Sequence, residues 1–465
     1  MVQILWLRND LRLHDHEGFR RAIANGDPLA VVYILPMHWL DKDRYGMTRL
    51  GGAKARFLRA SLIDLHRQLE DQTIDFHIYC GDPVDTLLAI KEELAGEDFQ
   101  LLTSEAQAPE ELNWLSRLKK CGVNTQTYSA QTLFNSEQMS ELLDDFPDSF
   151  SKFRRIVEKY THQYSVPQDI SSPRLQIHEY PLKHRAPVSW PDISERLELP
   201  FTGGERPAQQ WLKDYIWDSQ SLSHYKQTRN QLLGRHNFSH MSSYLAWGCL
   251  SPRQLWHETL KFEAAHHQGG EPSEDTYWLR CELLWREYFH WSLRAHGSAL
   301  FSAGGIQKKD RKYTHNAEYW QAWCEARTGI PMVDAGLREL RQSGFVSNRL
   351  RQNMASYFIH QLKLDWRLGA RWFEMYLTDF DVASNYGNWA YIAGVGHDPR
   401  PVREFNLNGQ LRQYDPKLTH IKQWCPEVTD ANLNDVFNHQ NGEVILPSFP
   451  PPVISLPQHS AQPEQ

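Results

Sequence analysis

Side chains able to hold a ligand are densest between Asp379 and Tyr391, where the sequence reads DFDVASNYGNWAY. Two carboxylates stand two residues apart, and Asn385, Gly387 and Trp389 follow them. Aspartate, asparagine and glycine are weak helix formers, so composition alone favours a loop capped by Asp and Asn side chains over a binding site. The run nevertheless follows a helix-period segment, so its polar and aromatic groups would lie against a helix.

A second group of interest lies on segment 274–295, EDTYWLRCELLWREYFHWSLRA. Trp278, Glu282, Trp285 and Phe289 fall at positions i, i+4, i+7 and i+11, which places them along one stripe of an α-helix. An aromatic stripe is typical of a core, but a carboxylate within it is costly to bury without a partner. We therefore interpret Glu282 as facing a groove or a specific polar group.

Hydroxyl groups cluster ahead of an apolar helical start in segment 225–253. They belong to Ser239, Ser242 and Ser243. Hydroxyls and free backbone N–H groups at a helix N-terminus suit a phosphate group. Serine is also a common N-cap, and the residues alone leave both interpretations open.

Asn348, Arg349, Arg351 and Gln352 open a predicted helix that follows a glycine. Arginine offers planar, multidentate donors that suit phosphates and carboxylates. The surrounding segment 338–371 has seven Lys or Arg residues against two acidic ones, although the whole chain has a net charge of −7. Such a basic face can attract phosphates, and a solvated helix surface is the alternative interpretation.

The elements that must position these groups fall into two parts. Residues 1–130 alternate strand-like and helix-period segments, which predicts an α/β domain with a doubly wound, parallel five-stranded sheet. No GxGxxG or Walker sequence occurs there, so no nucleotide site is predicted in it. The predicted strands are Val2–Leu7, Leu29–Leu35, Phe76–Cys80, Gln100–Thr103 and Thr125–Tyr128, and the predicted helices are Glu17–Ala24, Ala53–Leu69, Pro83–Leu94 and Pro109–Lys120.

Residues 207–430 have helical periodicity and predict an all-α domain. Residues 131–206 lose regular periodicity and are rich in proline, which predicts a connector between the domains. Residues 431–465 end in PSFPPPVISLPQHSAQPEQ, which predicts a flexible, proline-rich tail. The predicted helical segments are 208–217, 224–233, 251–267, 274–295, 331–342, 347–362 and 366–378.

Composition excludes several classes of protein. With 465 residues, of which 41% are hydrophobic and 23% charged, the chain is globular. No apolar run is long enough to span a bilayer and no targeting signal is evident, so we expect a cytoplasmic protein without a membrane partner. The six cysteines are scattered without a CxxC pair, so we predict no metal site and no disulfide framework. We expect a monomer or a weak dimer.

Six segments carry a family resemblance: WLRNDLRLHD, LLWRE, TGIPMVDAGLREL, SNRLRQN, DWRLGARWFE and DFDVASNYGNWAYIAGVGHDPR. In order and spacing they resemble the motifs of the cryptochrome/photolyase family, and the DASH cryptochromes in particular. The resemblance extends over nearly the whole chain up to residue 430. It implies an α/β N-terminal domain and an all-helical domain that holds FAD in a bent form.

The resemblance also implies which residues hold FAD. Asp379 and Asp381 would contact the ribose and the flavin ring, and Arg351 would pair with Asp379. Asn385 would face the flavin nitrogen N5, as an amide does in photolyases. His240 departs from the pattern, because an Arg or Lys is expected there near the phosphates. The implied FAD-binding residues are Tyr225, Ser239, His240, Met241, Ser242, Arg286, Arg351, Asp379, Asp381 and Asn385.

The reaction implied by the resemblance is blue-light-driven repair of cyclobutane pyrimidine dimers in DNA, by electron transfer from reduced FAD. The lesion would contact Glu282, Trp285, Asn348 and Tyr391, and the DNA would contact Arg229, Arg349 and Gln352. Tyr391 and Gln352 stand where duplex photolyases usually have Trp and often have Met. These residues would assist base flipping less, which favours single-stranded or looped DNA as the substrate, since unstacking the lesion from a duplex costs free energy. Asn348 replaces the histidine of photolyases for the other main pyrimidine photoproduct, which disfavours that substrate.

Two further features are implied by the resemblance. Photoreduction would run through Trp389 and Trp366, with Tyr313 at the outer position where the family usually has Trp. Trp320 or Trp323 is the alternative outer donor, because tyrosine is hard to oxidise without losing its proton. The implied antenna cofactor is 5,10-methenyltetrahydrofolate, with Glu110 or Glu111 as its contact.

Two other functions stay open on the sequence. A blue-light photoreceptor is the first alternative, although receptors of this family often carry longer C-terminal extensions. A flavoprotein that binds DNA without turnover is the second. Glu282, Trp285 and Asn348 are lesion-pocket residue types and favour repair, but binding and repair would use the same pocket.

Overall fold

The computed structural model describes residues 1–94, 96–159, 180–182, 188, 190, 201–266, 273–397 and 404–457. Most of the proline-rich part of the predicted connector, 160–206, lies outside the described residues. Its described beginning contains two short helices, Ser140–Asp144 and Phe150–Val157. The boundaries proposed for the domains stay predictions.

The five predicted strands are all present, and each of their ends lies within one residue of its prediction. They form a parallel sheet in the order β3-β2-β1-β4-β5. Because β1 pairs with both β2 and β4, the strand order changes direction at β1. The strands are β1 Val2–Leu7, β2 Leu29–Pro36, β3 Phe76–Gly81, β4 Phe99–Ser104 and β5 Asn124–Tyr128.

Helices cover both faces of this sheet, so the doubly wound prediction is confirmed. Alternate β1 residues point to opposite faces: Ile4 and Trp6 pack with the buried residues of α3 and α4, whereas Leu5 and Leu7 pack with those of α1 and α2. The helices are α1 Glu17–Asn25, α2 Gly52–Glu70, α3 Pro83–Glu93 and α4 Pro109–Lys120.

The remainder of the described chain is helical, as predicted. Two π-helical segments, 214–218 and 357–361, extend α7 and α14. The helix predicted over 224–233 is wrong in length, because α8 ends at Thr228. Within the described residues, no helix is both long enough and apolar enough to cross a membrane. The helices are α5 Ser140–Asp144, α6 Phe150–Val157, α7 Glu205–Lys213, α8 Tyr225–Thr228, α9 Met241–Ala246, α10 Pro252–His266, α11 Glu274–His296, α12 Ala317–Glu325, α13 Pro331–Ser343, α14 Asn348–Ser356, α15 Trp366–Tyr376, α16 Val382–Ile392, α17 Leu407–Tyr414, α18 Thr419–Trp424 and α19 Leu433–Gln440.

The prediction of a flexible tail from residue 431 is wrong for the described part of that segment. It contains α19, and the extended chain that follows packs back on the helical domain. The backbone N–H of Val453 donates to Thr328 O at 3.0 Å, and that of Leu456 to Gln440 O at 2.8 Å. Phe449 is buried. Proline excludes a helix here, but it does not prevent an extended segment from packing.

The two domains meet along α2, the loop after β1 and the helices α7 and α15. Glu205 at the start of α7 accepts hydrogen bonds from the backbone N–H groups of Leu13 and His14, at 2.7 and 2.8 Å. Lys54 on α2 is 2% exposed, and its Nζ donates to the carbonyl oxygens of Arg49 and Glu374, both at 3.0 Å. The side-chain nitrogen of Lys54 therefore ties α2 to α15.

The stability of this interface is expected to depend on pH through Lys54. Burial lowers the pKa of Lys54 from 10.5 to about 7, while the charge of Glu374 opposes the shift and that of Arg49 adds to it. Between these values the unfolded chain binds a proton that the folded chain lacks. Stability should therefore rise with pH in this range, by at most about 1.4 kcal/mol per pH unit.

The substitution Lys54→Met tests this pH dependence. Urea unfolding of both proteins, at intervals from about pH 7 to about pH 9, gives the two slopes of stability against pH. We expect a smaller positive slope in the variant, since the other titrating groups are common to both. Equal slopes would show that Lys54 keeps an ordinary pKa in the folded protein.

Candidate active site

The helical domain contains a cavity of about 510 Å³. Its walls come from α9, α11, α14 and α16, together with the segments that precede α9 and α16. Most residues that the sequence suggested for a site line this cavity: Tyr225, Arg229, Ser239, His240, Met241, Ser242, Glu282, Trp285, Arg286, Asn348, Arg349, Arg351, Gln352, Asp379, Asp381, Asn385, Trp389 and Tyr391.

The two carboxylate oxygens of Asp379 differ in their hydrogen bonds. Its Oδ2 accepts hydrogen bonds from Ser242 Oγ at 2.7 Å and from Arg351 at 2.9 Å. Arg351 is held in turn by Val346 O at 2.9 Å. Asp379 Oδ1 is buried and finds no hydrogen-bond partner among the described residues. A buried acceptor without a partner is costly, so this oxygen is suited to accept from a ligand in the cavity.

Asp381 is the N-cap of α16. Its Oδ1 accepts from Ser384 N at 2.6 Å, and its Oδ2 lies 3.0 Å from His290 Nε2. Burial alone would raise the pKa of Asp381, but its contact with His290, the charge of Arg286 and the hydrogen bond at Ser384 outweigh burial and lower the pKa below its ordinary value. An ionised carboxylate therefore lies beside the cavity at neutral pH.

The loop that composition alone favoured after Asp381 is in fact the helix α16. Tertiary contacts explain this outcome. A side chain on Gly387 would collide with the ring of Phe289, so glycine is required where α16 crosses α11. Asn385 donates from its amide to Ala370 O at 2.9 Å, which leaves its carbonyl oxygen and second amide proton for a ligand.

The segment before α9 does not form an ordinary capped helix start. The residue preceding α9 is His240, whose side chain makes no capping bond. Ser242, which the sequence assigned to a phosphate or to a cap, donates to Asp379 instead. Ser239 lines the cavity, and its carbonyl accepts from Trp211 Nε1 at 2.6 Å.

His240 does not replace the positive charge that the family pattern expects. Its ring lies 4.5 Å from the rings of Phe201 and Phe345 and 4.7 Å from that of Phe238, measured between centroids. Burial lowers the pKa of His240 to about 3, and the charge of Arg351 adds to the shift. The imidazole is therefore neutral at physiological pH and can offer a hydrogen bond but no charge.

Glu282 forms an ion pair with Arg229, whose guanidinium also lies 4.4 Å from the ring centroid of Trp278. We expected Glu282 to face a groove or a specific polar partner, and it does both: it lines the cavity and pairs with Arg229. Burial raises the pKa of Glu282, and the charge of Arg229 opposes that shift. The carboxyl group is one-third exposed at the cavity.

Trp285 presents an aromatic surface whose orientation is fixed by its neighbours. Phe150 of α6 stacks on it, with ring centroids 3.8 Å apart and planes at 13°. Tyr391 meets it edge to face at 5.9 Å, and Phe289 lies at 5.6 Å. Such contacts rigidify an aromatic platform.

The N-terminal turn of α14 lies at the same cavity. Its cap is Ser347, which accepts from Leu350 N at 3.3 Å. Asn348 is exposed and Gln352 half-buried. Arg349 donates to Asn230 Oδ1 at 3.1 Å and lies 4.8 Å from the ring centroid of Tyr414. The turn thus offers amide and guanidinium groups.

The predicted electron-transfer residues lie behind the cavity wall. Trp389 lines the cavity and packs against Phe373, with ring centroids 5.0 Å apart. Trp366 is fully buried, and its Nε1 donates to Ala303 O at 3.2 Å. Tyr313 donates to the same carbonyl oxygen at 3.0 Å, so it lies beside Trp366.

The alternative outer donors lie elsewhere. The rings of Trp320 and Trp323 pack against Phe358, with centroid distances of 6.3 and 4.7 Å. Phe358 in turn lies 5.6 Å from Trp389. These tryptophans and Trp389 are therefore grouped around Phe358.

Glu110 and Glu111, the two suggested contacts of the antenna cofactor, both lie in the first turn of α4. Glu111 is held on both sides. One oxygen pairs with the buried Arg8 at 2.8 Å, and the other accepts from Gln107 N and Ala108 N at the start of α4. These contacts give Glu111 a structural role. Its neighbour Glu110 is more exposed, at 30% against 14%.

The single basic face suggested for 338–371 does not form. Only Arg349 and Arg351 of this segment line the cavity. Three of the others pair with carboxylates in separate places: Arg338 with Glu427 at 2.7 Å, Arg367 with Asp365 at 2.5 Å and Arg371 with Asp43 at 2.7 Å.

Comparisons with known proteins agree with this architecture. Residues 278–462 match the family described as the FAD binding domain of DNA photolyase, and residues 3–173 match the family described as DNA photolyase. A cryptochrome DASH of Synechocystis sp. is 35% identical over 434 residues, which cover 91% of this chain and 87% of that protein. A cryptochrome DASH of Danio rerio is 35% identical over 477 residues, covering 98% and 91%. This chain belongs to the cryptochrome/photolyase family.

Solved structures of the family share the fold. A cryptochrome from Synechocystis sp. superposes with a TM-score of 0.89 at 33% identity, over 97% of this chain and 96% of that one. A bacterial class III photolyase from Agrobacterium tumefaciens gives a TM-score of 0.78 at 27% identity, over 97% and 94%. The α/β sheet and the helical domain are therefore those of a photolyase-like protein, and the helical domain is of the FAD-binding kind.

The cavity residues fit FAD. Asp379 Oδ1 and His240 Nδ1 have no hydrogen-bond partner in the described part of the chain. A flavin nucleotide supplies polar groups that can pair with both. A flavin offers a ring N–H and ribityl hydroxyls as donors. The side-chain carbonyl oxygen and the second amide N–H of Asn385 can form hydrogen bonds with the edge of a heteroaromatic ring.

Phe150 and His290 are functional neighbours that sequence reasoning missed. Phe150 belongs to the irregular connector, where no periodicity marked it. His290 lies eight positions after Glu282 on the same helix, and that spacing could have placed it near the stripe.

Replacing Asp379 should remove FAD. The variant Asp379→Ala loses the unpartnered acceptor and leaves Arg351 without its carboxylate, at a cost of roughly 1.5–3 kcal/mol for each charged hydrogen bond. We expect roughly a tenfold or greater loss of FAD affinity, measured by flavin content after gel filtration and by titration of the apoprotein.

Asp365→Ala is the matched control. Asp365 is equally buried and paired with an arginine, Arg367, but it lies outside the cavity and caps α15. Both variants should lose thermal stability, and only Asp379→Ala should lose flavin. Equal flavin retention in the two variants would remove Asp379 from the cofactor site.

Proposed function

We propose that this protein repairs cyclobutane pyrimidine dimers in DNA with blue light, and that it prefers single-stranded or looped substrates. Reduced FAD, when bound, supplies the light-driven electron that splits the dimer and to which the electron returns. The observation that carries the proposal is that Glu282, Trp285, Asn348 and Tyr391 line the same cavity as Asp379. A dimer in that cavity would lie beside the flavin.

The residues of the cavity would orient the lesion. Trp285, held by the stacked ring of Phe150, would stack on one pyrimidine, as aromatic side chains do with unstacked bases. Tyr391 stands at its edge. The carboxyl group of Glu282, which is one-third exposed at the cavity, would form hydrogen bonds with the pyrimidines.

Cationic groups at the cavity would hold the DNA backbone. Arg229 and Arg349 line the cavity. Their guanidinium groups pack against the rings of Trp278 and Tyr414, respectively. Guanidinium groups bind phosphates with planar, multidentate geometry. Gln352 would contact the strand from the next turn of α14. Salt should weaken DNA binding accordingly.

A preference for single strands follows from the same residues. A dimer in a duplex must be flipped into the cavity, which costs a few kcal/mol of unstacking. Tyr391 provides a smaller stacking surface than the tryptophan of duplex photolyases, and Gln352 is less apolar than their methionine. The protein would therefore recover less of the flipping cost and would act best where the lesion is already unstacked.

We extend the proposal to a folate antenna, 5,10-methenyltetrahydrofolate, with Glu110 rather than Glu111 as its contact. Both oxygens of Glu111 are engaged by Arg8 and by α4. Glu110 lies at the meeting of the domains, where it pairs with Arg49 at 2.8 Å and with His38 at 2.6 Å. Its partly exposed carboxylate is the more accessible acceptor for a pterin amino group.

The deciding experiment is repair by the chemically pre-reduced protein under blue light. Single-stranded and duplex oligonucleotides that carry one dimer would be compared, each with a dark control. Light-dependent repair of the single strand, with little repair of the duplex, is the expected result. If FAD is bound and reduced but neither substrate is repaired, the proposal fails and a photoreceptor function becomes the better explanation.

A further inference from the structure

A chain of polar contacts leads from α16 to the surface of the α/β domain. Tyr386 donates from its hydroxyl to Glu374 Oε2 at 2.9 Å, and Glu374 Oε1 accepts from Arg49 Nε at 2.6 Å. Arg49 also donates to Glu110, which meets the partly exposed His38. Glu374 is only 3% exposed. A buried carboxylate is thus fixed against a tyrosine hydroxyl.

Tyr386 also lies against the predicted electron-transfer path. Its ring centroid is 6.3 Å from that of Trp366, and the planes are nearly perpendicular, at 74°. Trp366 is fully buried, whereas Tyr386 is half-buried. Tyr386 therefore connects the buried tryptophan with the solvent side of α16, close enough for rapid electron transfer between the rings.

The two tyrosines beside Trp366 differ in what receives their hydroxyl proton. Tyr313 donates to Ala303 O, a backbone carbonyl. A backbone carbonyl is far too weak a base to accept a proton from an oxidised phenol, and oxidation without proton loss is costly. Tyr386 instead donates to a carboxylate oxygen, which can take the proton. Burial and the charge of Glu374 raise the pKa of Tyr386 well above its ordinary value, so the hydroxyl carries its proton beforehand.

We infer that Tyr386, with Glu374 as its proton acceptor, is the terminal electron donor of photoreduction in this protein. The inference rests on the proposed function, in which Trp389 and Trp366 relay electrons to the cofactor. One electron passes from Tyr386 to oxidised Trp366 and restores that tryptophan. The O–H bond of Tyr386 breaks and the proton forms an O–H bond with Glu374 Oε2. The products are a neutral tyrosyl radical and a neutral carboxylic acid.

The cycle closes with a reductant from solution. A thiol supplies one electron and one proton to the tyrosyl radical, and Glu374 releases its proton. Arg49 holds the other oxygen of Glu374 at 2.6 Å, so the acceptor oxygen keeps its alignment throughout. Glu374 acts on Tyr386 rather than on the cofactor and is a positioning residue and base for that donor.

The test compares Tyr386→Phe with Tyr313→Phe, both loaded with oxidised FAD. Flash photolysis follows the decay of oxidised tryptophan, and electron paramagnetic resonance with ring-deuterated tyrosine identifies any tyrosyl radical. We expect Tyr386→Phe to abolish the tyrosyl signal and to lengthen the life of oxidised tryptophan by about tenfold or more. Tyr313→Phe should change neither. A tyrosyl signal that survives in Tyr386→Phe, or disappears in Tyr313→Phe, overturns the inference.

Two measurements separate proton transfer from a structural role. In deuterated water the decay of oxidised tryptophan should slow in the unmodified protein and in Tyr313→Phe; no slowing overturns the role of Glu374 without any substitution. Tyr386→Phe leaves the buried Glu374 Oε2 without its donor, so thermal unfolding of the apoprotein should show a modest loss of stability, with the protein still folded at the temperature of the flash experiment.

The repair experiment keeps the two proposals apart. Chemically pre-reduced Tyr386→Phe should repair single-stranded substrate as the unmodified protein does, since repair does not draw on this donor. Absence of repair in the unmodified protein would end the proposed function, while the radical measurements, which need no DNA, would still decide the donor.

Discussion

Replacing Glu282 with alanine is expected to lower light-driven dimer repair strongly while FAD stays bound. Glu282 lines the cavity together with its partner Arg229, whereas the acceptor that we assign to the cofactor is on Asp379. The variant removes hydrogen bonds to the dimer, each worth roughly 1.5–3 kcal/mol where a charged group takes part, so dimer affinity should fall roughly 10- to 100-fold. Repair yield per absorbed photon, at saturating substrate, would show whether Glu282 also assists after binding.

Glu274→Ala provides the matched control for this result. Glu274 lies on the same helix and pairs with a cation, Lys226, but is largely exposed and outside the cavity. Repair, lesion affinity and flavin content should be unchanged in it. Loss of FAD from Glu282→Ala would show instead that Glu282 supports the cofactor, and unchanged repair would remove it from the lesion site.

The fold could be predicted closely because its signals are local. The strands β1 and β2 are short apolar runs, and β1, β2 and β4 are buried along their whole length, so their pattern is strong. The edge strand β5 is mostly exposed. The proline-rich end misled the prediction for a physical reason. Composition indicates that 441–457 cannot be helical, but not that Phe449 and Leu456 are buried against the helical domain.

Part of the cavity could be predicted from residues whose polarity does not fit their place in a helical pattern. Glu282 is such a residue, because a carboxylate in an aromatic stripe is costly to bury; in the structure it pairs with Arg229 and lines the cavity. By contrast, the helix α16 could not be predicted from its composition. Gly387 and Asn385 are poor helix formers, and only Phe289 on another helix and the carbonyl of Ala370 show why they are used. Long-range contacts of this kind leave no local pattern.

The pairing of charges was likewise beyond the sequence. Seven basic residues in one segment resemble a phosphate-binding face, yet partners such as Glu427 and Asp43 disperse them. His240 shows the same limit: its neutral state depends on the phenylalanine rings and arginines that the fold brings around it.

Replacing Trp389 with phenylalanine should slow photoreduction of oxidised FAD. Trp389 is the predicted relay residue that lines the cavity, and its ring is 2% exposed. A phenylalanine keeps most of the contacts with Phe373 and Phe358 but is far harder to oxidise. We expect the rate to fall by about tenfold or more, which requires a barrier increase of only about 1.4 kcal/mol. Absorbance changes under steady blue light with a thiol present would measure it.

Trp323→Phe is the corresponding control, because Trp323 is also fully buried and also packs on Phe358 but does not line the cavity. Its photoreduction rate should match that of the unmodified protein. Repair by chemically reduced Trp389→Phe should persist, since electron supply and dimer splitting use different residues. An unchanged photoreduction rate in Trp389→Phe would mean that electrons reach the cavity by another route, and the grouping of Trp320 and Trp323 around Phe358 would then be the place to look for it.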